Sequence, residues 1–307
     1  MASKALHKRI VKIKEYRVIY LFVIPIVIYL CIFRYYPIIT QFVLSLNDYG
    51  IQGGCWNSPW IGLGNYITLF SSRNFGRILF NTFRISVLQI TAGFIPPIIL
   101  AIALFDMTSN RMRRVSQSIL YIPHFFSWVV IYNIVHALFA NEGYINGLLN
   151  ALGIASHDFL IEKSSFLPML IGSSIWKELG WGTIIYLAAL TSIDTELFDV
   201  AKIDGAGPLQ RIWYITLPGI LSVVVFCLAM SLGRLLSAAN TEQILLFQGP
   251  QNLSVSDVLG TWEYRQGLGK MQYSLGASIS MFQSVIGLSL VLTTNKLATK
   301  LAGVGIW

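Results

Sequence analysis

The stretch that decides the fold runs from Thr191 to Pro218 and reads TSIDTELFDVAKIDGAGPLQRIWYITLP. Long apolar runs flank it on both sides, and it is longer than a simple turn between them would need. Asp194 is placed to cap a helix, because an N-cap carboxylate accepts hydrogen bonds from the first free backbone N–H groups. The residues at the i, i+4, i+7 and i+8 spacing of one apolar face are Ile193, Leu197, Val200 and Ala201. The stretch therefore predicts a short amphipathic helix between two apolar segments.

The end of this helix is also readable. Gly205 can end it, since glycine adopts the left-handed conformation that closes many helices. Gly207-Pro208 can then turn the chain and open a second short helix. A rigid helix of this kind suits a groove in a partner protein. A helix lying on the lipid surface would show the same pattern, so the spacing leaves both interpretations open.

The composition sets the class of protein. The chain has 307 residues, of which 55% are hydrophobic and only 12% charged, and its mean hydropathy is +0.64. Soluble domains carry about 25% charged residues, so a disordered chain, an ordinary soluble enzyme and a coiled coil are excluded. Cys31, Cys55 and Cys227 have no spacing typical of a disulfide scaffold or a zinc site, and we expect no metal.

Six stretches have the ~20 mostly apolar residues that a transmembrane helix needs. They are Val18–Phe33, Ile78–Leu104, Val115–Phe139, Phe166–Leu190, Gly219–Ala239 and Leu275–Leu292. The first is expected to stay as an uncleaved anchor, because no small-residue cleavage site follows it. We predict an all-α membrane protein with a basic tail (1–17), one domain of six spans (18–300) and a short C-terminal end (301–307).

The basic residues orient the chain. With the N-terminus inside, thirteen Lys and Arg residues fall in inner segments and six in outer segments. Inner loops of membrane proteins are enriched in these residues, so both termini are predicted in the cytoplasm of a cell whose plasma membrane the chain crosses. This orientation explains the net charge of +8, and we expect no nucleic-acid partner.

The deciding stretch carries a resemblance. Asp199-Val200-Ala201, three residues, Gly205, nine residues and Ile215-Thr216-Leu217-Pro218 resemble the signature loop of permease subunits of binding-protein-dependent ABC importers. The family pattern is Glu-Ala-Ala, three residues, Gly, nine residues, Ile-x-Leu-Pro, and the spacing matches without a gap. Asp204-Gly205-Ala206 is similar to the sugar-importer branch. There are two departures from this pattern: Asp199 stands for the Glu and is one methylene shorter, and Val200 stands for the first Ala and is bulkier.

The resemblance extends over most of the chain. Further segments are similar to polysaccharide-type (LplB-like, MalF-related) carbohydrate permeases. They are Tyr35-Tyr36-Pro37, Asn81-Thr82, Tyr121-Ile122-Pro123-His124-Phe125, Ser127-Trp128-Val129-Val130, Ile175-Trp176-Lys177, Thr261-Trp262-Glu263-Tyr264-Arg265 and Phe282-Gln283-Ser284-Val285.

The resemblance implies a type I ABC importer permease fold, in which residues 191–218 form a cytoplasmic coupling segment that docks on an ATPase. The implied coupling residues are Leu197, Phe198, Asp199, Val200, Ala201, Asp204, Gly205 and Ala206. It also implies a second homologous permease, two ATPase subunits that bind ATP and Mg, an extracellular lipid-anchored solute-binding protein and an oligosaccharide substrate. No cofactor is expected in this chain itself.

Polar residues inside the spans suggest a route for the substrate. Intramembrane charges are costly and usually face a cavity or a partner. On the fifth span, polar residues recur every third position and can share one face; on the fourth, two charges lie near the middle. The predicted substrate-pathway residues are Trp176, Lys177, Glu178, Arg234, Ser237, Asn240 and Gln243. The same polar groups could instead only join helices to each other.

The sequence shows no catalytic motif. Its Gly269-Lys270 pair is followed by Met271 and not by the Ser or Thr of a phosphate loop. His124, beside a proline, is expected to be a structural hydrogen-bonding residue. We therefore expect a transport subunit and not an enzyme. Two alternatives stay open: an ion-coupled secondary carrier, for which Glu178 is the one intramembrane acid, and a membrane scaffold that transports nothing.

Overall fold

The computed structural model describes residues 16–50, 52–233, 235–237 and 239–302. Most of the predicted basic tail, and the end of the chain after Ala302, lie outside the described residues. Apart from one isolated antiparallel bridge between Asn47 and Trp60, the described residues form helices and turns and no strand. The all-α prediction is confirmed.

The helices alternate between long apolar segments and short connecting segments. In chain order they are α1 (Arg17–Ser45), α2 (Gly64–Ser71), α3 (Phe75–Phe105), α4 (Asn110–Tyr121), α5 (Trp128–Phe139), α6 (Tyr144–Ala151), α7 (Lys163–Thr191), α8 (Thr195–Ile203), α9 (Pro208–Gly233), α10 (Thr241–Phe247), α11 (Leu259–Glu263) and α12 (Tyr273–Ala302). Short helical turns lie at Gly54–Asn57 and Leu253–Ser256.

The long helices match the predicted spans in place, with one exception. Among the described residues, α1, α3, α9 and the Tyr273–Lys296 part of α12 are each long and apolar enough to cross a membrane. Helix α7 has the length, with 29 residues, but is more polar because Lys177 and Glu178 lie near its middle. The exception is the third span, so the count of six stays a prediction.

The third span predicted over Val115–Phe139 is not one straight helix but is broken after Phe125. Asn110–Phe125 and Trp128–Ala151 are bent by 102° relative to each other. Pro123 lies in the 3₁₀ turn before the break, where its missing N–H weakens the helix. Ser127 then takes an extended conformation, and its Oγ accepts a hydrogen bond from the Val130 N–H at 3.3 Å. This N-cap starts a new helix in a different direction.

The fifth span also differs from the prediction of Gly219–Ala239. It begins earlier, because the helix opened by Pro208 is not a separate short helix but continues through a π turn into α9. It ends earlier as well, at Gly233. Asn240 then caps α10, and its side chain accepts a hydrogen bond from the Gln243 N–H at 3.0 Å.

The chain divides into two compact units. In the first, described over residues 16–50, 52–71 and 266–281, Asn65 Nδ2 donates to the carbonyl oxygens of Ser45 and Asn47 at 3.0 and 2.8 Å. The Ser278 hydroxyl donates to the same Ser45 oxygen at 3.1 Å. These bonds satisfy the backbone where α1 ends.

Helix α7 organises the second unit, which is described over residues 72–233, 235–237, 239–265 and 282–302. It packs against α3, α4, α5, α9 and α10. One buried cluster includes Ile85, Val135, Phe166, Leu170, Ile244, Phe247 and Val258, and a second consists of Ala101, Tyr186, Leu190 and Ile220. The second cluster lies at the C-terminal end of α7, only a few residues before α8, so the amphipathic helix is attached directly to packed core.

Candidate functional site

Helix α8 is the amphipathic helix that the sequence predicted, and its start is capped as expected. Asp194 takes an extended conformation and its Oδ1 accepts a hydrogen bond from the Glu196 N–H at 3.0 Å. Glu196 lies in the first turn and Lys202 in the last. Each charge interacts favourably with the helix dipole at its own end of the helix.

The end of α8 is a Schellman motif centred on Gly205. The Gly205 N–H donates to the Lys202 carbonyl at 3.1 Å, and the Ala206 N–H donates to the Ala201 carbonyl at 2.8 Å. Gly205 has φ +77, and the space around it is open. The glycine is therefore required by the backbone conformation and not by crowding. Asp204 and Ala206, both predicted coupling residues, belong to this cap.

The outward face of α8 is apolar. Leu197, Val200 and Ile203 are 52%, 56% and 86% exposed. Ile203 was missed by the sequence reasoning, although its i, i+3, i+6 relation to the other two would have indicated it. Asp199 and Lys202 form an exposed ion pair at 2.9 Å beside this face. We call Leu197, Val200 and Ile203 the outer face of α8.

The inward face of α8 holds the helix to the domain. The Phe198 ring lies 5.8 Å from the ring of Phe105 at the end of α3. Ile193, which was predicted on the same face as Leu197 and Val200, contacts Gly219 so closely that a Cβ there would lie 2.6 Å from its Cδ1. Phe198 therefore differs from Leu197 and Val200, which are exposed, because its ring packs against its own chain.

Gln243 is the centre of a buried polar network. Its Oε1 accepts hydrogen bonds from Gln89 Nε2 at 2.8 Å and from the Ser174 hydroxyl at 3.0 Å. Its Nε2 donates to the Leu170 carbonyl at 2.7 Å and to Ser173 Oγ at 3.0 Å. One amide thus joins α10 to α3 and α7. Gln89 was missed by the sequence reasoning, although a lone amide in an apolar span indicates a partner.

The predicted common face of the fifth span does not exist as one helical face. Arg234 lies outside the described residues, as does the side chain of Ser237. Helix α9 ends at Gly233, and Asn240 belongs to the cap of α10. The residues at this three-residue spacing therefore extend past the end of α9 to the start of α10, and do not lie on one helix. Gln243 alone of the four is shown to reach α7.

Lys177 and Glu178 both bind the segment at the break between α4 and α5. Lys177 is buried, and its Nζ donates to the carbonyl oxygens of His124 and Phe126 at 2.5 and 2.6 Å. Glu178 Oε2 pairs with His124 Nδ1 at 2.8 Å, whereas its other oxygen lies 3.8 Å from Lys177 Nζ. The lysine satisfies carbonyls that the broken helix leaves free. His124 has the structural hydrogen-bonding role that was predicted.

The aromatic residues of α7 lie on different surfaces. The Trp181 ring stacks on the His124 ring with centroids 4.2 Å apart and planes at 2°. Trp176 instead lines a mostly apolar pocket of about 380 Å³. Other residues lining it are Ile134, Leu138, Pro168, Met169 and Ser173. The polar groups beside Trp176 in the sequence are thus used for internal bonds, and a role in the substrate route stays a prediction for all of them.

The amphipathic helix between spans, its capped ends and its exposed outer face lie within a matched family region. The family model described as "Binding-protein-dependent transport system inner membrane component" matches residues 64–295. The chain belongs to this family. It is a membrane component of a transport system, and the predicted resemblance is confirmed.

Two relatives of this inner membrane component come from Bacillus subtilis (strain 168). The polygalacturonan/rhamnogalacturonan transport system permease protein YteP is 36% identical, and the match covers 99% of this chain and 95% of that protein. Protein LplB is 35% identical over 96% of this chain and 92% of its own length.

Solved structures agree with these relatives. A chain of a bacterial alginate ABC transporter, in complex with an alginate pentasaccharide-bound periplasmic protein, superposes with a TM-score of 0.88 at 33% identity. The match covers 96% of this chain and 98% of that one. The type I permease fold is thereby confirmed for this inner membrane component.

Proposed function

We propose that this chain is one of two permease subunits of an ATP-driven importer of oligosaccharides. The relatives named for polygalacturonan, rhamnogalacturonan and alginate transport support a saccharide substrate. In this proposal the chain forms half of the route across the plasma membrane, has both termini in the cytoplasm and breaks no covalent bond itself. A second permease, two ATPase subunits holding ATP and Mg, and a lipid-anchored extracellular binding protein complete the system.

The observation that carries the proposal is the geometry of α8. A capped helix with three exposed apolar side chains follows α7 after three residues. An exposed apolar helix face at the end of a membrane span is costly in water and suits a groove in a partner. Closure of the ATPase subunits would move α8, and α8 would move α3 and α9, because Phe198 contacts Phe105 of α3 and Ile193 contacts Gly219 of α9.

The ion-coupled carrier is not favoured by a comparable observation. Such a carrier needs an intramembrane acid that can exchange an ion or a proton. Glu178 is already paired with His124. The coupling proposal explains both the exposed outer face and its caps, whereas the carrier explains neither.

The test replaces Ile203 by Glu and purifies the tagged chain from its native membranes. A charge on Ile203, the most exposed residue of the outer face, should be left unpaired in a closed groove, and we expect loss of ATPase subunits from the purified complex. Leu152→Glu is the matched control, because Leu152 is also an exposed apolar residue, at 67%, in a different connection. Retention of ATPase subunits by Ile203→Glu would contradict the docking assignment.

A further inference from the structure

A second pocket, of about 450 Å³, lies beside the C-terminal end of α5 and the chain that follows α10. Its volume is in the range of sites for small molecules, which span about 300–1,000 Å³. The residues that give it its chemistry are Tyr132, His136, Asn141, Asp158, Gln248 and Gln251. None of them belongs to the predicted substrate-pathway set.

The walls of this pocket are held in place by bonds that leave several polar groups unused. Asn252 Nδ2 donates to the Phe247 carbonyl at 3.0 Å, and its Oδ1 accepts from the Gly249 N–H at 2.9 Å. The Tyr132 ring packs edge-on against the Phe247 ring at 5.1 Å. In contrast, no described residue hydrogen-bonds the ring nitrogens of His136 or the carboxylate of Asp158. The loop is fixed, and polar groups remain for a ligand.

The lining residues can bind the groups that a sugar presents. A sugar residue presents hydroxyl groups, which amides, imidazole and carboxylate can bind as donors or acceptors. It also presents a flat C–H face, which aromatic rings such as those of Tyr132 and Phe139 can cover. A pocket with few polar groups among apolar walls is typical of small-molecule recognition.

The charged groups in the lining favour a neutral sugar over an acidic one. Of the described residues that line the pocket, Asp158 is the one acid, and none is Lys or Arg. A uronate would place its carboxylate near that of Asp158 without a cation to offset the repulsion. A neutral sugar meets no such cost, and its hydroxyls can donate to the carboxylate.

We propose that this pocket is an oligosaccharide subsite that takes a neutral sugar residue and disfavours a uronate. The proposal rests on the proposed import of oligosaccharides. It distinguishes this chain from the matched transporter that imports the acidic polysaccharide alginate. In this protein, an acidic polysaccharide would have to cross the membrane without occupying this pocket.

Protection from a thiol reagent tests occupancy without any need for transport. The full-length chain, with Cys31, Cys55 and Cys227 replaced by serine, receives either Asn141→Cys in the lining or Glu142→Cys next to it. Maleimide labelling is timed in detergent with a panel of neutral tetrasaccharides from glucan, xylan, arabinan and galactan, and with tetragalacturonate. At ten times Kd, one neutral member should slow labelling at position 141 about tenfold, and tetragalacturonate should not. Labelling at position 142 should not change.

A charge reversal then tests the selectivity. Asp158→Lys should lower the Kd for tetragalacturonate, measured by protection at position 141, at least about tenfold, equivalent to 1.4 kcal/mol. Glu142→Lys should leave that Kd unchanged. Protection by tetragalacturonate before the reversal would overturn the neutral preference, and absence of protection by every saccharide would overturn the subsite. Neither result would affect the proposed function, which fails separately if the reconstituted complex takes up no saccharide with ATP.

Discussion

Replacement of Gly205 by alanine should weaken binding of the ATPase subunit without unfolding the membrane domain. Gly205 has φ +77, and no atom lies within 4 Å of the position a Cβ would take. The cost of the substitution is therefore the backbone cost of a left-handed residue with a Cβ, about 1–2 kcal/mol. If the cap opens to avoid that cost, the two hydrogen bonds to the carbonyls of Lys202 and Ala201 are lost.

We expect the cap to open in the free chain, so that docking has to close it again before the outer face fits a groove. A cost of 1–2 kcal/mol corresponds to a roughly 5–30-fold change in an equilibrium. We expect the apparent Kd for the ATPase subunit to rise by about that factor. The measurement is a titration of the purified permease with its ATPase subunit, read by co-elution or by surface binding.

The chain supplies a matched control. Gly153 has φ +76, is also open on all sides, and closes α6 by the same pair of bonds, from the Gly153 N–H to Asn150 and from the Ile154 N–H to Leu149. Gly153→Ala should therefore carry the same local cost and leave ATPase binding unchanged. Gly205→Asn should restore most of the binding, because Asn tolerates the left-handed region. Unchanged binding in Gly205→Ala would refute the role of the cap.

Three further predictions concern the second unit and are measured by thermal unfolding in detergent. Gln243→Leu should lower stability by about 3 kcal/mol, since it removes four hydrogen bonds that the buried amide makes to Gln89, Leu170, Ser173 and Ser174; no loss would contradict the network. Lys177→Met should cost about 2 kcal/mol, because it frees two carbonyls at the broken span, and increased proteolysis near that break should accompany it. Gly180→Ala should disrupt the packing of α4 on α7, because its Cβ would overlap the Leu120 carbonyl, whereas Gly172→Ala, with open space around it, should be tolerated.

Local features of the coupling segment could be predicted from the sequence. The cap at Asp194 and the turn at Gly205 depend on neighbouring residues in the chain, and both are confirmed. The direction of Phe198 could not be predicted in this way. It is set by where α3 ends in space, and Phe105 is far away in sequence.

Features that depend on distant partners were less predictable. Hydropathy averages over a window, so it cannot detect a break made by the two extended residues Phe126 and Ser127. The prediction that Asn240 shares one helix face with Arg234, Ser237 and Gln243 also failed. In a sequence, a side chain that caps a helix cannot be told from any other polar residue in an apolar run. Gln89 and Gln243 were each visible as amides, but their pairing follows from the packing of α3, α7 and α10.

Uptake into proteoliposomes tests most directly whether this chain is part of a permease driven by ATP. The purified complex of both permeases and the ATPase subunits is reconstituted, and radiolabelled oligosaccharide is added with its binding protein. We expect uptake that needs ATP inside the liposomes and that falls strongly with Ile203→Glu. Uptake by the permease without ATP or ATPase subunits, driven by an imposed ion gradient, would contradict it.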